Sequence, residues 1–123
     1  MPSTVQPTIV TAHLERMLEF YSGLVGANET QRIPEEGPVF YVRLRIGNSD
    51  VGMVSDAAVA DRQAGRILLS IEVADVDALL PRVHGLGGEI TGGPNDMPWG
   101  QRVAHIKDPD GNAINLTSPV PHT

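Results

Sequence analysis

The chain contains no cysteine among its 123 residues. That absence removes disulfides, thiolate zinc sites, iron–sulfur clusters and a cysteine nucleophile together. Aromatic residues are scarce, with one Trp, two Tyr and two Phe making up 4% of the chain. A large aromatic stacking platform is therefore not expected. Basic charge is in deficit: nine Lys and Arg stand against fifteen Asp and Glu, a formal net charge of −6. Proteins that grip nucleic acid carry the opposite balance, so no nucleic-acid partner is expected, and a cationic ligand would suit the sign. No apolar run approaches the ~20 residues of a membrane span, so no membrane partner is expected. The start of the chain lacks a basic segment followed by an apolar one, so it does not read as a signal peptide, and a cytoplasmic location is expected. What is present is an ordinary globular composition, 41% hydrophobic and 20% charged, enough for one domain with a real core. Four histidines, His13, His84, His105 and His122, are the obvious reserve of acid/base or ligating groups.

An internal repeat organises the chain. Leu18, Gly23, Leu24 and Gly26 recur 62 residues on as Leu80, Gly85, Leu86 and Gly88. The same offset of 62 lays Gly47-Asn48-Ser49-Asp50 on Pro109-Asp110-Gly111-Asn112, both turn-like. The chain then reads as two copies of one unit, about residues 1–62 and 63–123, within a single domain over 1–123.

In the first unit Gln6–Thr11 reads as a strand. Leu14, Met17, Leu18, Tyr21 and Leu24 form a helical stripe, with Gly23 and Gly26 as its C-cap residues and His13 in place of an N-cap. A strand over Glu29–Ile33, an alternating strand over Val39–Ile46 and a last strand over Val51–Ser55 follow. In the second unit a strand over Ile67–Val73 precedes a helical stripe of Val76, Leu79, Leu80, Val83 and Leu86. Asp75 suits the N-cap, and Pro81 predicts a kink or a late start. His84 sits at the helix C-terminus, where the dipole favours a cation, and His122 lies in the tail. Glu89–Thr91, Gln101–Lys107 and Ala113–Thr117 read as strands. Gly93–Pro98 reads as a Pro-rich loop leading to Trp99. Asp108-Pro109-Asp110-Gly111 is a hairpin turn. Each unit is βαβββ, an α+β arrangement.

This doubled βαβββ unit resembles the vicinal oxygen chelate superfamily, the glyoxalase, bleomycin resistance and extradiol dioxygenase group. The residues that carry the resemblance are Leu14-Glu15-Arg16 with Phe20-Tyr21, Leu24-Val25-Gly26, Asp75-Val76-Asp77-Ala78, Trp99-Gly100 and Asp108-Pro109-Asp110-Gly111-Asn112. His13 stands where the family commonly keeps an aspartate before the first helix. The resemblance implies two modules curling into a mixed-sheet cup with helices outside. It also implies four inward side chains on the first and last strands of each module, which are His, Glu or Gln where a metal is held. Those positions fall on Gln6, Met53, Leu68 and Asn115, each pair again 62 apart. A catalytic divalent ion wants imidazole and carboxylate donors. A leucine, a thioether and two neutral amides do not supply them, so neither a metal nor another cofactor is expected.

Alternation along the strands predicts what else lines the cup. Tyr41, Arg43, Glu72, Trp99 and His105 join the four positions above as candidate ligand contacts, and Ala104 and Ile106 are left for the core. Each has a plain structural reading too: a surface histidine, a solvated carboxylate, a tryptophan capping the core, a methionine within it. The leading expectation is a metal-independent binding protein that holds a small organic ligand, in the manner of antibiotic-sequestering members. The alternative is a lyase, isomerase or dioxygenase-type enzyme with atypical metal ligands, or with His105 or Glu72 as acid/base. A third reading is an interaction module. The resemblance also implies a homodimer.

Overall fold

A computed structural model describes residues 5–59 and 68–120. His122, Ile67 and the linking stretch from residue 60 onward lie outside the described residues. The chain divides into two compact units, Met1–Arg62 and Gln63–Thr123.

The first unit runs β1 (Thr8–Thr11), α1 (Leu14–Val25), β2 (Asn28–Ile33), β3 (Tyr41–Ile46) and β4 (Ser49–Ser55). Its four strands form one sheet in the order β1-β4-β3-β2. β1 pairs parallel to β4, and the other neighbours are antiparallel. The second unit runs β5 (Leu69–Glu72), α2 (Val76–Val83), β6 (Glu89–Asp96), β7 (Gln101–Lys107) and β8 (Ala113–Pro119), with sheet order β5-β8-β7-β6. Again only the first strand, β5, is parallel to its neighbour. A helix must carry the chain from one strand to a parallel partner. This is why α1 and α2 each follow the first strand of their unit.

One face of each sheet is apolar. Val42, Leu44, Val51 and Met53 are buried in the first unit, as are Met17, Leu18, Phe20 and Tyr21 of α1. Ala104, Ile106, Ile114 and Leu116 are buried in the second, as are Val76 and Val83 of α2. Each large apolar side chain removed from water contributes about 1.5–3 kcal/mol. Arg102 adds a tether to α2, bonding Asp77 at 3.0 Å and Asp96 at 2.8 Å.

Three local expectations are corrected, and one of the two alternatives raised by Pro81 is excluded. Gly26 is the left-handed C-cap of α1, whereas Gly23 lies inside the helix. His13 precedes α1 but its side chain makes no capping bond. Its backbone N–H instead donates to Thr11 Oγ1 at 2.9 Å, so the turn is held from the strand side. The second helix does not start late: Asp75 accepts from the Ala78 N–H and α2 begins at once, passes through Pro81 and ends in a 3-10 turn over His84–Leu86. The Pro-rich stretch is not all loop either. β6 continues to Asp96 through two register shifts, because bulges absorb residues that cannot keep the ladder.

Candidate functional site

The internal repeat keeps its offset of 62 only as far as the hairpin that precedes the last strand. Two residues, Gly47 and Asn48, separate the paired Ile46 and Ser49. In the second unit the Asp108 N–H meets the Asn112 carbonyl across three residues, Pro109, Asp110 and Gly111. The longer turn is built by Asp108. Its carboxylate accepts from the backbone N–H groups of Asp110 and Asn112 and from Asn112 Nδ2, each at 2.9 Å. Gly111 supplies the left-handed residue at φ +85°.

That one extra residue inverts an assignment. Thr8 pairs with Gly52 and Arg43 also pairs with Gly52, while Ser70 and His105 both pair with Asn115. Gly52 is thus the counterpart of Asn115, at an offset of 63. A slip of one residue moves a side chain to the opposite face. Met53 is accordingly not a lining residue. It pairs with Val42, is 0% exposed and belongs to the core.

On the helix-free face of the second unit, Ser70, Glu72, Met97, Trp99, Gln101, Val103, His105, Asn115 and Thr117 surround an open concavity of about 470 Å³. Val103 and Thr117 are buried, whereas Glu72 and His105 are exposed. His105 Nδ1 lies 2.7 Å from Asn115 Oδ1 on the neighbouring strand. A carbonyl oxygen only accepts, so Nδ1 carries the proton, and in the neutral imidazole the lone pair is on Nε2. Gly92 is the cross-strand partner of His105, and a Cβ there would sit 3.3 Å from His105 Cδ2. Glycine makes room for the ring.

Trp99 occupies the loop between β6 and β7. Met97 and Gln101 close it by a 2.7 Å backbone bond, and Gly100 takes φ +93°. The Met97-Pro98-Trp99-Gly100 turn therefore uses the same Pro and Gly placement as Asp108-Pro109-Asp110-Gly111. The indole is 68% exposed, and its Nε1–H donates to Gln101 Oε1 at 2.8 Å. Met97 and Gln101 escaped the sequence reading. The Pro98 and Gly100 spacing could have found them, since it places both at the foot of the loop.

The helix-free face of the first unit carries Gln6, Tyr41 and Arg43. Gln6 Nε2 donates to the Tyr41 hydroxyl at 3.0 Å. That bond and the Arg43 guanidinium beside it hold the Tyr41 phenol below its ordinary pKa, Gln6 being the larger cause. The three side chains share this face with the bare backbone of Gly52. Leu68, in the second unit, is 49% exposed just ahead of β5.

The metal positions can now be tested on their donors. Gly52 and Leu68 offer none, and Gln6 and Asn115 offer only neutral amide oxygens, that of Asn115 already engaged by His105. Among the described residues no three His, Asp or Glu form a cluster able to hold a metal ion. This donor set does not fit a divalent ion. No helix among the described residues is long and apolar enough to cross a membrane.

Comparison with known proteins agrees with this architecture. Residues 4–116 match the family model described as the Glyoxalase/Bleomycin resistance protein/Dioxygenase superfamily. An uncharacterized protein of Mycobacterium bovis is 27% identical, the match covering 94% of this chain and 83% of that protein. Among solved structures, a glyoxalase/bleomycin resistance protein/dioxygenase family enzyme from Burkholderia phytofirmans superposes with a TM-score of 0.75 at 22% identity, over 92% of this chain and 95% of that one. The fosfomycin resistance protein FosX of Mesorhizobium loti does so with a TM-score of 0.72 at 18% identity, over 98% and 94%. At such identities the structural likeness establishes the fold alone.

Proposed function

The chain belongs to the glyoxalase/bleomycin resistance protein/dioxygenase superfamily, and from that premise we propose that it binds a small organic molecule without recruiting a metal ion. The observation that carries the reading is the concavity of the second unit, about 470 Å³ with Trp99 in its lining. Its size suits a small ligand. Val103 and Met97 give it apolar surface, while Glu72, His105 and Asn115 give it polar groups that fix orientation. A homodimer goes with this reading, because members of the superfamily often form dimers.

A second reading is favoured by one contact. Asn115 orients His105 so that Nε2 is free to take a proton, with the Glu72 carboxylate lining the same concavity. Such a pair is what acid/base turnover would use.

Trp99 is the sole tryptophan, so its fluorescence reports directly on the site. A screen of small organic molecules is expected to give saturable quenching or enhancement that survives a chelator. Binding abolished by chelation would overturn the metal-free reading. Replacing His105 by Ala is expected to leave affinity within a few-fold if the protein only binds, and to abolish turnover if it is an enzyme.

A further inference from the structure

The first unit carries one charged hydrogen-bond donor that no acceptor of the protein matches, set beside a cluster of polar side chains. A Cβ on Gly52 would lie 2.9 Å from Gln6 Nε2, 3.0 Å from Thr8 Oγ1 and 3.1 Å from Tyr41 Cε1. Three side chains from β3 and from in and ahead of β1 thus converge over one bare stretch of β4. Arg43, two residues along β3 from Tyr41, points to the same face. Its Nε–H is buried and has no hydrogen-bond partner. Leaving a buried donor unmade is costly, more so for a charged group. The nearby carboxylate of Asp50 is already held by Arg45 at 3.0 Å. Gln6 occupies an acceptor lone pair of the Tyr41 oxygen, which leaves the phenolic O–H to donate outward.

We propose that Arg43 and Tyr41, backed by Gln6 over Gly52, form a site for the oxyanion of a small ligand, a carboxylate or a phosphate-type group. The guanidinium rotates from the sheet to offer Nε and Nη, and the Tyr41 hydroxyl donates beside it. The oxyanion supplies the acceptor that the protein itself does not. Planar guanidinium donors suit such groups geometrically as well as by charge. In a chain of net charge −6, the recognition is local and does not follow from the overall field. The lowered phenol pKa is consistent with this, since the same donors that stabilise a phenolate polarise the O–H.

This deepens the small-molecule reading by naming the group recognised, and it rests on that reading. The test titrates the full-length protein with inorganic phosphate and, separately, with benzoate, at constant ionic strength set by chloride. The Arg43 Nε–H resonance, assigned by its disappearance in Arg43→Lys, is expected to shift saturably with one or both probes. The stronger probe identifies the class of oxyanion. Affinity, read in every variant from the Gln6 side-chain amide resonances at the site, is expected to fall about tenfold or more in Arg43→Gln, the loss of a charged donor. It is expected to fall less in Tyr41→Phe and to stay unchanged in Arg32→Gln, whose guanidinium is engaged by Glu29 and Glu15. No shift beyond that seen with chloride alone, or the same affinity in Arg43→Gln, would overturn the proposal. Should Trp99 still respond to uncharged organic molecules while neither probe moves Arg43, the oxyanion site falls and the binding function stands.

Discussion

His105 and Asn115 face each other across the β7–β8 ladder, with the imidazole Nδ1 2.7 Å from the amide oxygen. The bond fixes a tautomer and therefore the chemistry of the other nitrogen. Replacing Asn115 by Ala removes the acceptor. Nitrogen-edited NMR of the imidazole is expected to show protonated Nδ1 in the natural protein and a mixture with protonated Nε2 in Asn115→Ala. A natural protein already protonated at Nε2 would sink the assignment.

Gly92 and Gly52 serve close approach rather than backbone conformation, since neither has a positive φ. Gly52→Ala pushes a methyl into Gln6, Thr8 and Tyr41 and is expected to cost about 1–3 kcal/mol. It is also expected to break the Gln6–Tyr41 bond, returning the phenol toward its ordinary titration. Urea unfolding and the tyrosinate absorbance band measure the two effects. A neutral substitution with an unchanged titration would show that the Gln6 and Tyr41 side chains do not rest on this backbone.

Asp108 is 3% exposed and accepts from two backbone N–H groups and one side-chain amide. Asp108→Ala strands those donors and is expected to cost about 2–3 kcal/mol, with Asp108→Asn recovering part of it. The relevant comparison is the shift of the urea midpoint at constant m-value. A loss below a few tenths of a kcal/mol would mean that the turn holds without its carboxylate.

Met53 lies in the core and not on the binding face. Met53→Ala is expected to cost about 2–5 kcal/mol while leaving ligand affinity nearly unchanged under conditions where the protein is folded. Loss of affinity without loss of stability would return Met53 to the site.

Tyr41 gives a pH dependence with a definite sign. Its folded pKa lies below the ordinary value of 10.0. The stabilisation from this group is therefore complete above the unfolded pKa and is lost as the pH falls through the lowered folded value. Stability is expected to rise across that alkaline window in the natural protein and to lose this rise in Tyr41→Phe. Tyr41 is expected to titrate ahead of a tyrosine of ordinary pKa. An unchanged alkaline profile in Tyr41→Phe would remove the assigned cause.

The elements were legible in the sequence because local chemistry sets them. Apolar stripes at helical spacing marked α1 and α2, Asp75 marked a helix start, and the Pro-Asp-Gly run marked the turn before β8. The repeat and the family likeness came from the same patterns. The helix-free faces were only partly legible. Alternation put Tyr41 with Arg43, and His105 on the face where the family resemblance had placed Asn115, but the resemblance with its constant offset of 62 carried Met53 to the wrong side, because one added turn residue shifts the register of everything after it. Gly52 and Gly92 carry no side chain for a pattern to register, and their role is visible only when another side chain lies across them. The missing cysteine, the acidic balance and the poverty of donors at the metal positions were fixed by composition and order. The sequence alone thus determined a doubled βαβββ fold without the usual ligands. Tertiary structure decided which atoms meet on each sheet face, since pairing register and close approach depend on strands distant in sequence.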